Sequence, residues 1–155
     1  MIPMRKRIIC LSLVLAMVLS LCACGGNGKY KVVKSLGSQE YSIGFRNGDS
    51  TYHYIDKALK ELSAEGVIDD LSTQWFGSSR AVSFPSKANA LDELGYIEER
   101  TFIIGVDLES APLSFQKGEE YVGFDIDLAN KVCEKLGWVL KVQPIHSEDA
   151  YVELN

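Results

Sequence analysis

Asp125 and Asp127 stand two residues apart in GFDIDLANKVCEKLG, Gly123 to Gly137. Two carboxylates so close can divide the work of general acid and general base, or hold a divalent cation between them. The residues around them argue for something plainer. Ile126, Ala129, Val132, Cys133 and Leu136 recur at helical intervals. The acids therefore fall in the first turn of a helix, where the positive end of the dipole favours them. His53 and His146 have no Cys, His, Asp or Glu at ligand spacing, so no metal site is expected. Trp75 and Trp138 lie on apolar patterns and read as core. Lys57, Lys60 and Glu61 read as a solvated helix face.

The four cysteines look like a disulfide set until the first 24 residues are considered. Arg5, Lys6 and Arg7 precede an uncharged apolar run, Ile8 to Leu21. Fourteen residues suit a secretory signal better than a permanent span. LCAC, Leu21 to Cys24, follows and resembles the lipobox of bacterial lipoproteins, with Leu21 at −3, Ala23 at −1 and Cys24 as the lipidated residue. Residues 1–23 are then the signal peptide and 24–29, with GGNGK, a flexible tether. Cys10 and Cys22 leave with the signal, Cys24 takes the lipid, and Cys133 alone remains as a buried, inert thiol.

Cleavage removes three of 16 basic residues and none of 21 acidic ones, so the formal charge moves from −5 to −8. That balance excludes nucleic acid as an expected partner. Covalent lipid supplies the membrane attachment, which puts the folded part outside the cytoplasm on the cell membrane.

The elements follow from periodicity. YKVV (Tyr30 to Val33) and YSIGF (Tyr41 to Phe45) read as short strands. RNGD, Arg46 to Asp49, is turn chemistry, and Asp49 or Ser50 can cap the next helix. Ile55, Ala58, Leu59 and Leu62 make that helix's apolar face, and Gly66 stops it. Ile68, Leu71 and Trp75 mark a second, short helix that ends at Trp-Phe-Gly, Trp75 to Gly77. Residues 78–100 have little periodicity and read as a linker lying on a surface, with a turn of helix within Leu91 to Ile97. TFIIGV, Thr101 to Val106, is a near-continuous apolar run of the kind a buried parallel strand shows. A loop containing Pro112 follows, then a hairpin turning at Lys117-Gly118. Next come a helix over Asp125 to Leu136 stopped by Gly137, a strand over Trp138 to Pro144, and a last helix that Ser147 can cap. This order gives an α/β fold around a parallel sheet.

The stretch Gly123 to Gly137 is similar to the signature of family 3 extracellular solute-binding proteins, the amino-acid receptors of ABC importers. The pattern is Gly123, Phe124, Asp125, Ile126, Asp127 and Leu128, then Val132, Cys133 and Leu136 at helical spacing. Upstream, IIGVDLESAPLSF resembles the family's first strand and ligand-facing loop, with Asp107 and Pro112 at matching positions. Tyr30 to Gly77 also resembles this family, but its final segment. Residues 30–77 thus look like the tail of the fold and 101–155 like an incomplete head, joined by the linker 78–100. A circularly permuted and truncated chain fits this order best, because chain termini in compact domains lie close together. A remnant of a tandem pair and a fold completed by a second polypeptide stay open.

The resemblance implies part of a two-lobed periplasmic-binding-protein (type II) fold, mainly one lobe, with a parallel sheet and flanking helices. It implies no chemistry and no cofactor. Its partners would be a small-molecule ligand, with an amino acid foremost, and an ABC permease. The ligand contacts it implies are Asp107, Glu109, Ser110, Ala111 and Leu113, with Phe115 nearby. An amino acid also needs its carboxylate held by an arginine fork. Arg46, Arg80 and Arg100 fall outside the segment where the family keeps that group. Other uses of the same fold are a ligand-sensing module, a dehydratase-like enzyme with Asp107 or Glu109 as its acid or base, or a non-functional fragment.

Overall fold

A computed structural model describes Gly37 and Gln39 to Leu154. The signal, Cys24, the tether and the expected strand Tyr30 to Val33 lie outside the described residues. Contacts divide the chain between Tyr41 and Ser42, and residues 42–155 make one compact unit. That unit contains helices α1 (Thr51–Ala64) and α2 (Val67–Phe76), and a 3₁₀ turn (Ala90–Glu93). Strands β1 (Thr101–Val106), β2 (Glu109–Ser110), β3 (Ser114–Lys117) and β4 (Glu120–Val122) follow. Helix α3 (Phe124–Leu136), strand β5 (Val139–Pro144), a second 3₁₀ turn (Ser147–Asp149) and helix α4 (Ala150–Glu153) complete it.

Strands β1 and β5 pair in parallel, from Thr101 opposite Val139 to Val106 opposite Pro144. Strands β2, β3 and β4 form a separate small antiparallel sheet. Lys117 pairs with Glu120, so the hairpin turns on Gly118 and Glu119, one residue beyond the expected pair. The α/β class with a parallel sheet and flanking helices is what the element order predicts, and it is the architecture found within one periplasmic-binding-protein lobe.

The core lies between the helices and one face of the parallel pair. Ile55, Ala58, Leu59 and Leu62 of α1 meet Ile68 and Leu71 of α2. Phe124, Leu128, Val132, Cys133 and Leu136 of α3, with Trp138, belong to the same cluster. Gly66, Gly77 and Gly137 follow or separate helices in the left-handed conformation, at φ +81°, +73° and +68°. Glycine adopts it without a Cβ penalty, so each helix stops where the sequence predicts. Asp49 serves the start of α1, accepting the Thr51 N–H at 2.8 Å. Burial raises the Cys133 thiol above its ordinary pKa, which suits an inert side chain.

Three expectations are corrected. Tyr41 to Phe45 is not a strand: it has no ladder partner among the described residues, and Tyr41 and Ile43 are exposed. Strand β1 is covered on one face only. Thr101, Ile103 and Gly105 look outward, while Phe102, Ile104 and Val106 look inward. A continuous apolar run therefore overstated its burial. The polar face of α1 is not simply solvated. Lys57 and Lys87 both bond Glu93, and Glu61 accepts the Leu91 N–H at 3.0 Å. The two ammonium groups, Lys57 foremost, hold the Glu93 carboxyl down at about 2. The Lys87 N–H donates to the Lys60 carbonyl at 3.0 Å, and Ser63 Oγ to the Phe84 carbonyl at 3.2 Å. Ser72 Oγ donates to the Ser78 carbonyl at 2.6 Å and accepts the Val82 N–H at 3.2 Å. Residues 78–93 are thus strapped along α1 and α2.

Leu62, 2% exposed at the centre of the cluster, should carry far more stability than the outward Ile103. Leu62→Ala should cost about 2–5 kcal/mol in urea unfolding. Ile103→Thr should stay within about 0.5 kcal/mol of the parent. Equal losses would show that the core is elsewhere.

Candidate functional site

In open α/β sheets, ligands meet the loops beyond the carboxyl ends of the parallel strands. Here that end is formed by Asp107 after β1 and Ile145 after β5. The Ile145 N–H donates to the Val106 carbonyl at 2.9 Å and extends the ladder into the loop. Asp107 then ties the two loops together. Its Oδ1 accepts the Glu109 N–H at 3.0 Å and its Oδ2 accepts the Ser147 N–H at 3.3 Å. Its carbonyl accepts Ser114 Oγ at 2.6 Å. These donors, the Glu109 N–H first, hold its carboxyl below the ordinary carboxylate range.

The rest of the loop is built on this anchor. Glu109 pairs with Phe115 and Ser110 with Ser114, leaving Ala111 to Leu113 as the connecting turn. The Leu113 N–H donates back to the Ser110 carbonyl at 2.8 Å. The turn is clamped by the start of α3. The Phe124 N–H donates to the Pro112 carbonyl at 3.1 Å and the Asp125 N–H to the Leu113 carbonyl at 2.9 Å. Two of that helix's orphan donors are satisfied this way. Gly123 makes the approach possible: its φ is +142°, and a Cβ there would overlap the Leu113 carbonyl.

The expected ligand-facing residues therefore divide. Glu109 and Ala111 are exposed, and Asp107 and Ser110 are half-buried. Leu113 packs against the hydrophobic cluster. Phe115 turns its ring edge-on to Trp75, with centroids 6.0 Å apart at 86°. Ser147 is the first residue of the second 3₁₀ turn and not its cap, and it bonds Asp107 through its backbone N–H and its side chain. The helix expected after it is a 3₁₀ turn and a single turn of α4.

Asp125 and Asp127 do not act as a pair. Asp127 Oδ2 accepts the Trp75 indole N–H at 2.8 Å and Gln74 Nε2 at 3.2 Å. It joins α2 to α3 across 52 residues of sequence. Trp75 is consequently half-buried with a polar partner, whereas Trp138 is buried and donates to the Glu98 carbonyl at 2.9 Å. Periodicity located both tryptophans but carried no signal for the Trp75–Asp127 bond. Arg100 stacks its guanidinium 4.2 Å over the Trp138 ring and donates to Thr51 Oγ1 at 2.5 Å, so its partners are not those of the Asp107 loop. An open groove of about 530 Å³ runs between Val67 and Leu71 on one side and Lys131 and Glu134 on the other, and none of the Asp107-loop residues lines it. Among the described residues no three His, Cys, Asp or Glu side chains gather as a metal site. No described helix is long and apolar enough to cross a membrane.

The parallel pair flanked by helices, with an anchored loop at its carboxyl end, has the layout of a ligand-binding α/β lobe. Residues 102–155 match the family model of bacterial extracellular solute-binding proteins, family 3. The match takes in β1, the anchored loop, α3 and β5, about a third of the chain. No curated protein and no solved structure matches the chain.

Protonating Asp107 removes its acceptor capacity, so its depressed pKa has a defined sign. The stabilisation it gives the loop is complete above the unfolded carboxylate pKa, about 3.9, and is lost as pH falls through the lower folded value. A carboxyl-carbon titration of Asp107 by NMR should therefore show a midpoint below 3.8. A midpoint at or above that value would contradict the hydrogen bonds to Glu109 and Ser147.

Proposed function

We propose that this chain is an extracytoplasmic solute-binding protein that serves an ABC importer and is held to the membrane by lipid on Cys24. Its ligand is a small polar solute, with amino acids the first class to consider. The observation that carries this reading is the match of residues 102–155 to the family 3 model. Three basic residues, an apolar run and LCAC support export and lipidation. On this reading Glu109, Ser110 and Ala111 meet the ligand, and Asp107, Leu113 and Phe115 shape the loop that presents them. Glu109, the acid among those that meet the ligand, suits an ammonium group. The chain delivers its ligand to a permease and needs no cofactor.

The permuted order, with 30–77 as the family's closing segment and 101–155 as its opening one, belongs to the same proposal. What favours it is the way the two parts join. Trp75 bonds Asp127, Phe76 packs on Phe124 with centroids 5.2 Å apart, and the joining segment is bonded along α1. Segments thrown together by accident would not share a core cluster.

Titration calorimetry of the full lipidated chain in detergent, against each of the twenty amino acids, tests the ligand class. At least one should give saturable heat, and Asp107→Ala should weaken it about tenfold or more. Silence with all twenty would reject amino acids. Labelled palmitate should enter the parent chain and not Cys24→Ser; labelling of that variant would remove the anchor from the proposal.

A further inference from the structure

The loop at the carboxyl end of β1 is held from two directions. Backbone donors of α3 hold Pro112 and Leu113, and Asp107 holds the Glu109 N–H. The second grip comes from α2. Phe115, directly opposite Glu109 in the β2–β3 pairing, rests edge-on against Trp75. An edge-to-face pair holds its orientation only while both rings are fixed. Trp75 sits in the last turn of α2, where helices fray and a half-buried ring has freedom to turn. What fixes its indole is the charge-assisted bond to Asp127 Oδ2 at 2.8 Å, with Gln74 Nε2 on the same oxygen at 3.2 Å. Asp127 is in turn fixed by the first turns of α3, the helix that clamps the loop's other side.

We propose that Asp127 is a positioning residue for the ligand-facing loop, acting through the Trp75 indole and the Phe115 ring. The inference rests on the reading of residues 107–115 as ligand-facing, and assigns control of that loop to a segment outside the family match. Residues 74 and 75 set the order of Glu109 although they touch no ligand. Affinity in this chain is then adjustable from α2, by any change that alters how the Trp75 ring is held. The bonds to Trp75 and Gln74 are made by Asp127 and not by Asp125, the neighbouring acid of the same motif.

The test needs no ligand, so it stands apart from the calorimetry above. Hydrogen exchange is followed by NMR in the full chain for the Glu109 and Leu113 amides, with Ala58 and Leu62 in α1 as internal references. Asp127→Leu and Trp75→Phe should each speed exchange at Glu109 and Leu113 about tenfold, the scale of one lost hydrogen bond. The α1 amides should be unchanged. Asp127→Asn keeps an acceptor oxygen and should restore protection to within about threefold of the parent. The Trp75 Nε1–H resonance should move upfield in Asp127→Leu and stay near its place in Asp127→Asn. Unchanged exchange at Glu109 and Leu113 in both disruptive variants would overturn the proposal. So would a uniform rise that includes α1, because it would assign Asp127 to general stability and not to the loop.

Discussion

Helix α3 has to be buried on more sides than one stripe can serve, and the rest of the unit is arranged to satisfy it. Val132, Cys133 and Leu136 continue the amphipathic face that the sequence displays, and Phe124 and Leu128 extend it around the cylinder. α1 and α2 cover it from one direction, β5 from another, and the β3–β4 hairpin closes over its start. Remove α1 and α2, and an apolar surface that no other described element covers would open to water. The head-like segment, 101–155, is therefore not self-sufficient as a packed body. It depends on residues that come earlier in the chain.

The segment between them contributes more than connection. Val82, Phe84, Leu91 and Ile97 rest against the core cluster, and Ala90 is fully buried. Glu61 receives both the Leu91 N–H and Lys135 Nζ, so one carboxylate on α1 joins the strap on one side to α3 on the other. Exposed ion pairs such as Lys57–Glu93 are individually worth little. The backbone bonds to Lys60, Ser63 and Ser72 fix the path more firmly, because they pair carbonyls and amides of the strap directly with the two helices.

Much of this was legible in the residues. Glycines 66, 77 and 137 marked helix ends because a positive φ is cheap only for glycine, and the 3.6-residue period identified α1 and α3. The hairpin and the parallel pair followed from turn chemistry and from the βα order. The failures share a cause. The face of β1 left open, the missing ladder at Tyr41 to Phe45 and the strapped course of residues 78–93 depend on which neighbours are present, and local pattern does not encode neighbours. The loop at Asp107 was found through resemblance, while its anchoring could not be. Asp107 bonds backbone amides, which every residue has, so nothing in the letters at 109 or 147 announces them. The Trp75–Asp127 bond is a contact 52 residues apart between two motifs that each explained themselves locally.

The order in which these parts leave the ribosome has its own consequence. α1 and α2 are finished well before the helix they pack on exists. From Gly77 to Trp138 the chain must grow by about 60 residues, which takes roughly 3–12 s at ordinary rates of synthesis. Through that interval Ile55, Leu59, Leu62, Ile68 and Leu71 have only each other and the emerging strap, Val82, Phe84 and Leu91, for cover. An apolar hairpin that must wait for its partner is a natural client for a chaperone that binds nascent chains. It also keeps the polypeptide loosely folded for longer, the condition in which a chain can still be threaded through a translocation channel.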